Sequence, residues 1–497
     1  MQTKILKEKW IENRIDIKER EKYEKDEKDF INDEQIINLL NKFSNPDKNQ
    51  VREIINKAKA INSLSAQEAA ILCNVKDKEL IEEMEYAASQ IKKKVYDNRI
   101  VTFAPLYMST KCINNCEYCG FRRENYVIKR GVLSLEEIAK ETQVLAGEIG
   151  HKRIIAVYGE HPQSDVDYII KTMKTIYEIK VKTKNGYGSI RRINVNAAPM
   201  KIDELRKLHD AGLGTYQVFQ ETYHHETYKK LHPSKTIKGD YKWRVYCMHR
   251  AMDAGIDDVG IGVLFGLYDW KFEVVALVCH ALELEKRFGI GPHTVSFPRI
   301  EPAINTPFTN NLKWKVSDED FRKIITIIRL TIPYTGMILT ARESPSIRNS
   351  LFPIGITQTD ASSNIGLGGY GSRSLGQKPE TQQFILGDTR TLDELIRYFA
   401  NNGIITSFCT AGYRCGRTGK CIMDLLRSGV EGKFCKLNAV LTFREWLDDF
   451  ASKETKEAGE KVIQKEIEEI KQKDSKIFEA FIKKYEEIKK GKRDLYF

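Results

Sequence analysis

No stretch of the 497 residues approaches the ~20 consecutive apolar residues that a membrane-spanning helix needs. The first 28 residues are charged throughout and carry no apolar core, so they do not read as a secretory signal. With no export signal, the ten cysteines are expected in a reducing compartment rather than in disulfides. A basic stripe interleaved with aromatics is also missing. The net charge of +11 comes from lysines spread through mixed Lys/Glu segments, which are solvated helix faces and not a nucleic-acid site. Two nucleotide signatures are absent. The run Asn364-Ile-Gly-Leu-Gly-Gly-Tyr-Gly371 lacks dinucleotide spacing and reads as a tight loop closing a barrel mouth. In Gly416-Arg-Thr-Gly-Lys-Cys421, Arg414 and Cys421 stand where a phosphate loop needs Gly and Ser or Thr. The expectation is a globular cytoplasmic chain, 41% hydrophobic and 30% charged, with neither nucleic acid nor membrane as partner.

What is present is a cysteine loop. Cys112-Ile-Asn-Asn-Cys116-Glu-Tyr-Cys119 has three and then two residues between its thiols, and it follows an apolar run, Ile100 to Met108, that reads as a strand. Soft thiolates suit an iron–sulfur cube and zinc alike. A four-iron cube needs four ligands, so this loop leaves one iron open. A structural zinc needs a fourth Cys or His nearby, and the next histidine is His151.

Around that loop the chain alternates. Strand-like runs at Val101–Tyr107, Arg153–Tyr158, Arg192–Ala197, Thr215–Gln220, Asp258–Phe265, Thr294–Arg299, Gly336–Thr340 and Ile356–Asp360 are mostly separated by helical patterns such as Val166–Ile176, Trp243–Ala254 and Asp318–Leu330. The pattern predicts an α/β fold, a (β/α)8 TIM barrel over 96–390. A helical N-terminal extension over 1–95, with a capping box at Ser65-Ala-Gln-Glu68, precedes it. A C-terminal extension over 391–497 follows, ending in one Lys/Glu helix over 454–494 whose Ile463, Ile467, Ile470, Ile477 and Phe481 are expected to pack on the barrel.

Such barrels do chemistry at the C-terminal ends of their strands. Those ends carry Gly159-Glu160-His161, Asn196, Glu221 and Thr340-Ala-Arg342-Glu343. Glycine admits a ligand close to the backbone, and a carboxylate can hold an ammonium. Arg342 reads either as a clamp for an amino-acid carboxylate or as a partner of Glu343. Arg244 and Arg250 reach a ligand or hold a helix in place, and His161 reads as a surface loop residue.

The cysteine spacing, with aromatic Tyr118 before the last thiol, resembles the radical S-adenosylmethionine (SAM) superfamily. The resemblance implies a [4Fe–4S] cluster on Cys112, Cys116 and Cys119 whose open iron is chelated by SAM, with Tyr118, Gly159 and Glu160 helping to seat SAM and Asn196 and Glu221 as pocket candidates. A narrower resemblance rests on Ala104-Pro-Leu-Tyr-Met-Ser-Thr, Tyr158-Gly-Glu-His-Pro, Gln220-Glu-Thr-Tyr-His, the run 257–269, Gly291-Pro-His-Thr and Arg493-Asp-Leu-Tyr-Phe497. These are similar to HydG, the tyrosine lyase family of [FeFe]-hydrogenase maturation, and more distantly to ThiH, the 2-iminoacetate synthases of thiamine synthesis. The implied reaction is a radical SAM carbon–carbon lyase: a 5′-deoxyadenosyl radical abstracts hydrogen from L-tyrosine, the Cα–Cβ bond breaks, and p-cresol and dehydroglycine form. No side chain serves as acid or base, and Thr340 and Arg342 match positions that grip tyrosine. Implied partners are a low-potential electron donor and hydrogenase-maturation proteins.

In that family dehydroglycine goes on to carbon monoxide and cyanide at a second Fe–S cluster, held by three cysteines with two and then twenty-two residues between them. Here Cys409 and Cys435 occupy the outer positions and Gly412 the middle one. Cys415 and Cys421 are the candidate substitutes. The family histidine that helps hold an extra iron is expected near His280 and Glu283, and an arginine expected around Ala361-Ser-Ser-Asn364 is missing. The alternatives are a lyase making 2-iminoacetate only and a non-catalytic iron-binding scaffold.

Overall fold

The computed structural model describes residues 8–372, 377–421, 425, 431–473 and 475–497. Eight parallel strands form a ring: β1 (Arg99–Ser109), β2 (Arg153–Tyr158), β3 (Arg192–Asn196), β4 (Tyr216–Gln217), β5 (Val259–Gly262), β6 (Thr294–Ser296), β7 (Gly336–Leu339) and β8 (Gln358–Asp360). Each pairs with its neighbour in sequence, and β8 returns to β1 through Val101↔Gln358 and Phe103↔Asp360, closing a TIM barrel. All eight expected runs are strands. Several are shorter than their apolar stretch, because polar loop residues at the mouth leave the ladder. The clearest case is the fourth run, whose strand is only Tyr216–Gln217; Glu221 beyond it, left-handed at φ 73°, rejoins the sheet as a single bridge to Val263.

Three elements depart from expectation. A ninth strand, β9 (Ile405–Ser407), pairs with Arg99 to Val101 at the start of β1, so the C-terminal segment joins the sheet. The pattern Trp243–Ala254 is two helices, Tyr241–Val245 and Cys247–Asp253. The helix expected over 454–494 runs as Lys453–Lys473 and Ser475–Lys489 on either side of Asp474, which lies outside the described residues, and it stops at Lys489, short of the expected end, before a tail. Their buried Ile463 and Phe481 pack within a group formed with helices Leu392–Asn401 and Glu431–Asp449, not directly on the barrel wall.

On the other side, helices Lys48–Lys59, Ala66–Cys73 and Lys78–Tyr96 cover the barrel helices Trp270–Phe288 and Asp318–Thr331. The Ser65/Glu68 capping box forms, and Cys73 is buried in the core. The barrel interior is unusually polar. Arg153, Asn194, Gln217 and Gln358 are buried in it, and at its base Arg192 pairs with Asp258 at 2.8 Å. No helix among the described residues is long and apolar enough to cross a membrane.

Candidate active site

The loop after β1 is held from three directions. Ile113 N–H donates to Glu160 O (2.9 Å), Arg123 N–H to Asn114 O (2.8 Å) and Glu117 N–H to Leu231 O (3.2 Å). Gly159 is required where β2 ends, because an added Cβ would lie 2.2 Å from Lys111 O. These bonds turn Cys112, Cys116 and Cys119 into one cavity of about 270 Å³ at the barrel mouth. Among the described residues no three His, Cys, Asp or Glu side chains converge on a single ion site. The three thiols line an opening instead, which suits the corners of a cube rather than a tetrahedral zinc. Burial pushes the Cys116 thiol up to about 12 and that of Cys112 upward, so iron ligation is what would favour their thiolates.

The same cavity is lined by Tyr118, Gly159, Glu160, Asn196, Glu221, Thr340 and Arg342, so these residues from several strand ends face one space. Glu160 Oε2 accepts from Asn114 Nδ2 (2.6 Å), and that same amide lies 3.7 Å from Cys112 Sγ. Glu160 Oε1 is buried without a hydrogen bond, an anionic atom suited to a ligand ammonium. Tyr118 packs against Leu231, Leu264 and Ile300 and bonds His232 through its hydroxyl (2.8 Å). Glu221 is committed internally, with Lys238 Nζ at 2.8 Å and Arg244 Nη2 at 3.4 Å. Burial alone would raise its pKa, but those two cations outweigh it and hold the carboxylate ionised.

On the opposite wall the alternatives for Arg342 separate. Glu343 pairs with Arg299 (Nε to Oε1, 2.9 Å), not with Arg342. The Arg342 guanidinium lies over the Phe384 ring at 3.4 Å and has no ion pair among the described residues. Beside it the sequence reading missed Glu301. Burial and the neighbouring Glu343 push its carboxyl to about 7, against the pull of Arg342 and Arg299. Asn114 and Gln383, which donates toward Cys119 Sγ (3.4 Å), were also missed; one sits inside the cysteine motif, the other arrives from a distant loop. Arg244 and Arg250 bond backbone carbonyls of Phe219 and Met200, and His161 caps its own loop. Gly260 and Gly262 are packing residues, each crowded by its neighbouring strands.

A second cavity, about 70 Å³, lies at the base of the barrel. Cys409, Gly412 and Cys435 line it with Arg192, Asp258, His293, Arg417 and Asn438. Cys415 and Cys421 do not; both are exposed, and Cys415 Sγ lies 3.6 Å from Phe497 O. His280 and Glu283 are also elsewhere. His280 is buried against Tyr223 (2.7 Å to its hydroxyl), and Glu283 pairs with Arg287 (2.8 Å). The base histidine is His293, 3.4 Å from Asp258, and its place one residue before β6 was the available signal.

The barrel and the thiol-lined mouth define a radical SAM enzyme. Residues 106–278 match the Radical SAM superfamily and 296–405 the Biotin and Thiamin Synthesis associated domain. Within that superfamily the chain belongs to the family of HydG and the 2-iminoacetate synthases. A crystal structure of HydG, a maturase of the [FeFe]-hydrogenase, is 45% identical with a TM-score of 0.89, covering 95% of this chain and 100% of that one. HydG from Carboxydothermus hydrogenoformans is 36% identical with a TM-score of 0.75, over 90% and 97% of the two chains. The 2-iminoacetate synthase of Escherichia coli (strain K12) is 31% identical over 315 residues, 62% of this chain and 78% of that protein. Membership implies a [4Fe–4S] cluster and SAM, and the donor set at the mouth, three thiols beside a buried carboxylate oxygen that accepts no hydrogen bond, fits both.

Proposed function

We propose that this protein is a tyrosine lyase that cleaves the Cα–Cβ bond of L-tyrosine to p-cresol and dehydroglycine. The observation that supports it most is the pairing, across one cavity, of three thiols on one wall with a half-buried arginine on the other that has no ion pair among the described residues. Cys112, Cys116 and Cys119 would hold the cluster; Glu160, Gly159, Tyr118 and Asn196 would seat SAM. When bound, that pair supplies a carbon radical able to take a hydrogen atom from the substrate. Arg342, backed by Phe384, clamps the substrate carboxylate, and Thr340 orients it. Glu301 faces the same space and receives the substrate ammonium. Glu221 stays tied to Lys238 and Arg244 and bounds the site. The walls Phe103, Ile155 and Ile338 keep water from the reacting carbon.

The reading requires a low-potential electron donor, and the hydrogenase-maturation role of the HydG relatives turns on the cavity at the barrel base. Anaerobic reconstitution with iron, sulfide, dithionite, SAM and tyrosine should yield p-cresol and 5′-deoxyadenosine in equal amounts. Arg342→Met should raise the tyrosine KM at least about tenfold, the cost of one charge-assisted contact. An unchanged KM would remove Arg342 from the substrate site.

A further inference from the structure

The base cavity does not fit the second cluster that kinship implies. Only Cys409 and Cys435 present thiols to it. The middle ligand position, Gly412, has no donor, and Cys415 and Cys421 stand outside the cavity and exposed. The segment between Cys421 and Cys435 contains no other cysteine or histidine. His293 also lines the cavity, with its Nδ1 turned to Asp258 at 3.4 Å. Around the two thiols stand cations instead, Arg192 and Arg417 on the lining.

Backbone geometry does not demand the glycine. Gly412 is not among the left-handed residues, and a Cβ built there meets nothing nearer than Arg417 O at 3.5 Å. The position admits a side chain, and what is missing is a ligand. We infer that the base cavity holds no cysteine-ligated iron–sulfur cluster in this protein, and that the two-carbon product of tyrosine cleavage leaves the barrel unprocessed. The second half rests on the tyrosine-lyase reading; the first does not. Released dehydroglycine then adds water across C=N and loses the nitrogen: HN=CH–COO⁻ + H2O + H⁺ gives OHC–COO⁻ + NH4⁺, with no change in electron count. Any enzyme using this product takes it as a free imino acid.

Iron and sulfide are counted on the reconstituted full chain, with electron paramagnetic resonance after reduction. Wild type should bind one cube, about four irons. The triple variant Cys112→Ala, Cys116→Ala, Cys119→Ala should bind none. Gly412→Cys should restore about four irons in that triple background. A cube spectrum in the triple variant with Gly412 intact would overturn the inference, whether or not the Gly412→Cys protein folds. In turnover, p-cresol matched by glyoxylate and ammonium supports it, and carbon monoxide from wild type overturns it. Absence of p-cresol would sink the lyase reading while leaving the iron count to decide the cavity.

Discussion

Arg14 lies almost a hundred residues before the cysteine loop, yet its guanidinium reaches the mouth of the barrel. It donates to Glu204 (2.8 and 2.9 Å) and Pro199 O (2.7 Å), and its Nε lies 3.8 Å from Glu160 Oε1. Buried beside it, Glu160 connects through Asn114 to Cys112, so one polar chain runs from the N-terminal segment to the thiols. A cation at this spot holds the Glu160 carboxylate in one orientation. Arg14→Gln should weaken equilibrium SAM binding about tenfold while leaving the iron content at wild-type level. Arg14→Lys should recover part of the loss. Equal SAM affinity in the Gln variant would reduce Arg14 to an anchor of helix Ile202–Asp210.

The element carrying Arg14, residues 8–33, is strapped along the barrel flank by polar links. Arg20 bonds Asp240 (2.9 Å), Tyr23 bonds Asp253 (2.6 Å) and Lys242 bonds Glu24 (2.8 Å), while Trp10, Ile11 and Ile15 pack on Ile113, Ile237 and Trp243. Its far end is pinned at His225, whose ring nitrogens meet Asp33 (2.8 Å) and Asp29 (3.0 Å). Burial would lower this pKa, but the two carboxylates outweigh it and raise it to about 9; His224, 3.8 Å from Asp33, and the stacked Tyr241 are the other titratable groups in contact. A folded pKa above the ordinary value of about 6.5 means the contribution is complete below pH ~6.5 and is lost as pH rises through about 9. Hydrogen-exchange protection of residues 26–33, corrected for intrinsic rates, should fall several-fold between pH 6.5 and 9.5. In His225→Gln it should start low and stay flat.

At the scale of the molecule the barrel has two differently furnished ends. The mouth is a large cavity with three thiols and a cation, Arg342, that has no ion pair among the described residues; the base is small and braced by buried charge. Arg192 there donates to Asp258 (2.8 Å) and Thr215 (3.1 Å) across β3, β4 and β5. Removing one partner strands the other in a low-dielectric interior, at a cost of about 3 kcal/mol or more. Asp258→Asn should therefore lower the thermal midpoint by several degrees, and pairing it with Arg192→Met should recover most of the loss.

Much of this was legible beforehand, because it lives in local pattern. Short strand-like runs between helical patterns mark the eight strands, and three cysteines within eight residues mark the mouth, since ligands that close in sequence share a site in any fold. Residues brought in from afar were not legible. Glu301, Gln383 and Arg14 carry no motif, and only barrel closure puts them beside the mouth; His293 sits in a recognisable run, but its place at the base was not legible from it. The last helix ends at Lys489, short of the expected 494, because helical periodicity in the sequence does not mark where a helix stops. By itself the sequence determined the barrel, the thiol set and the missing ligand at Gly412, all properties of residue type and spacing. Tertiary structure alone decided that Arg342 has no ion pair among the described residues, that Glu221 is already neutralised, and that Cys415 and Cys421 face away. Pairing and direction depend on which distant side chains share a space once the chain has closed on itself.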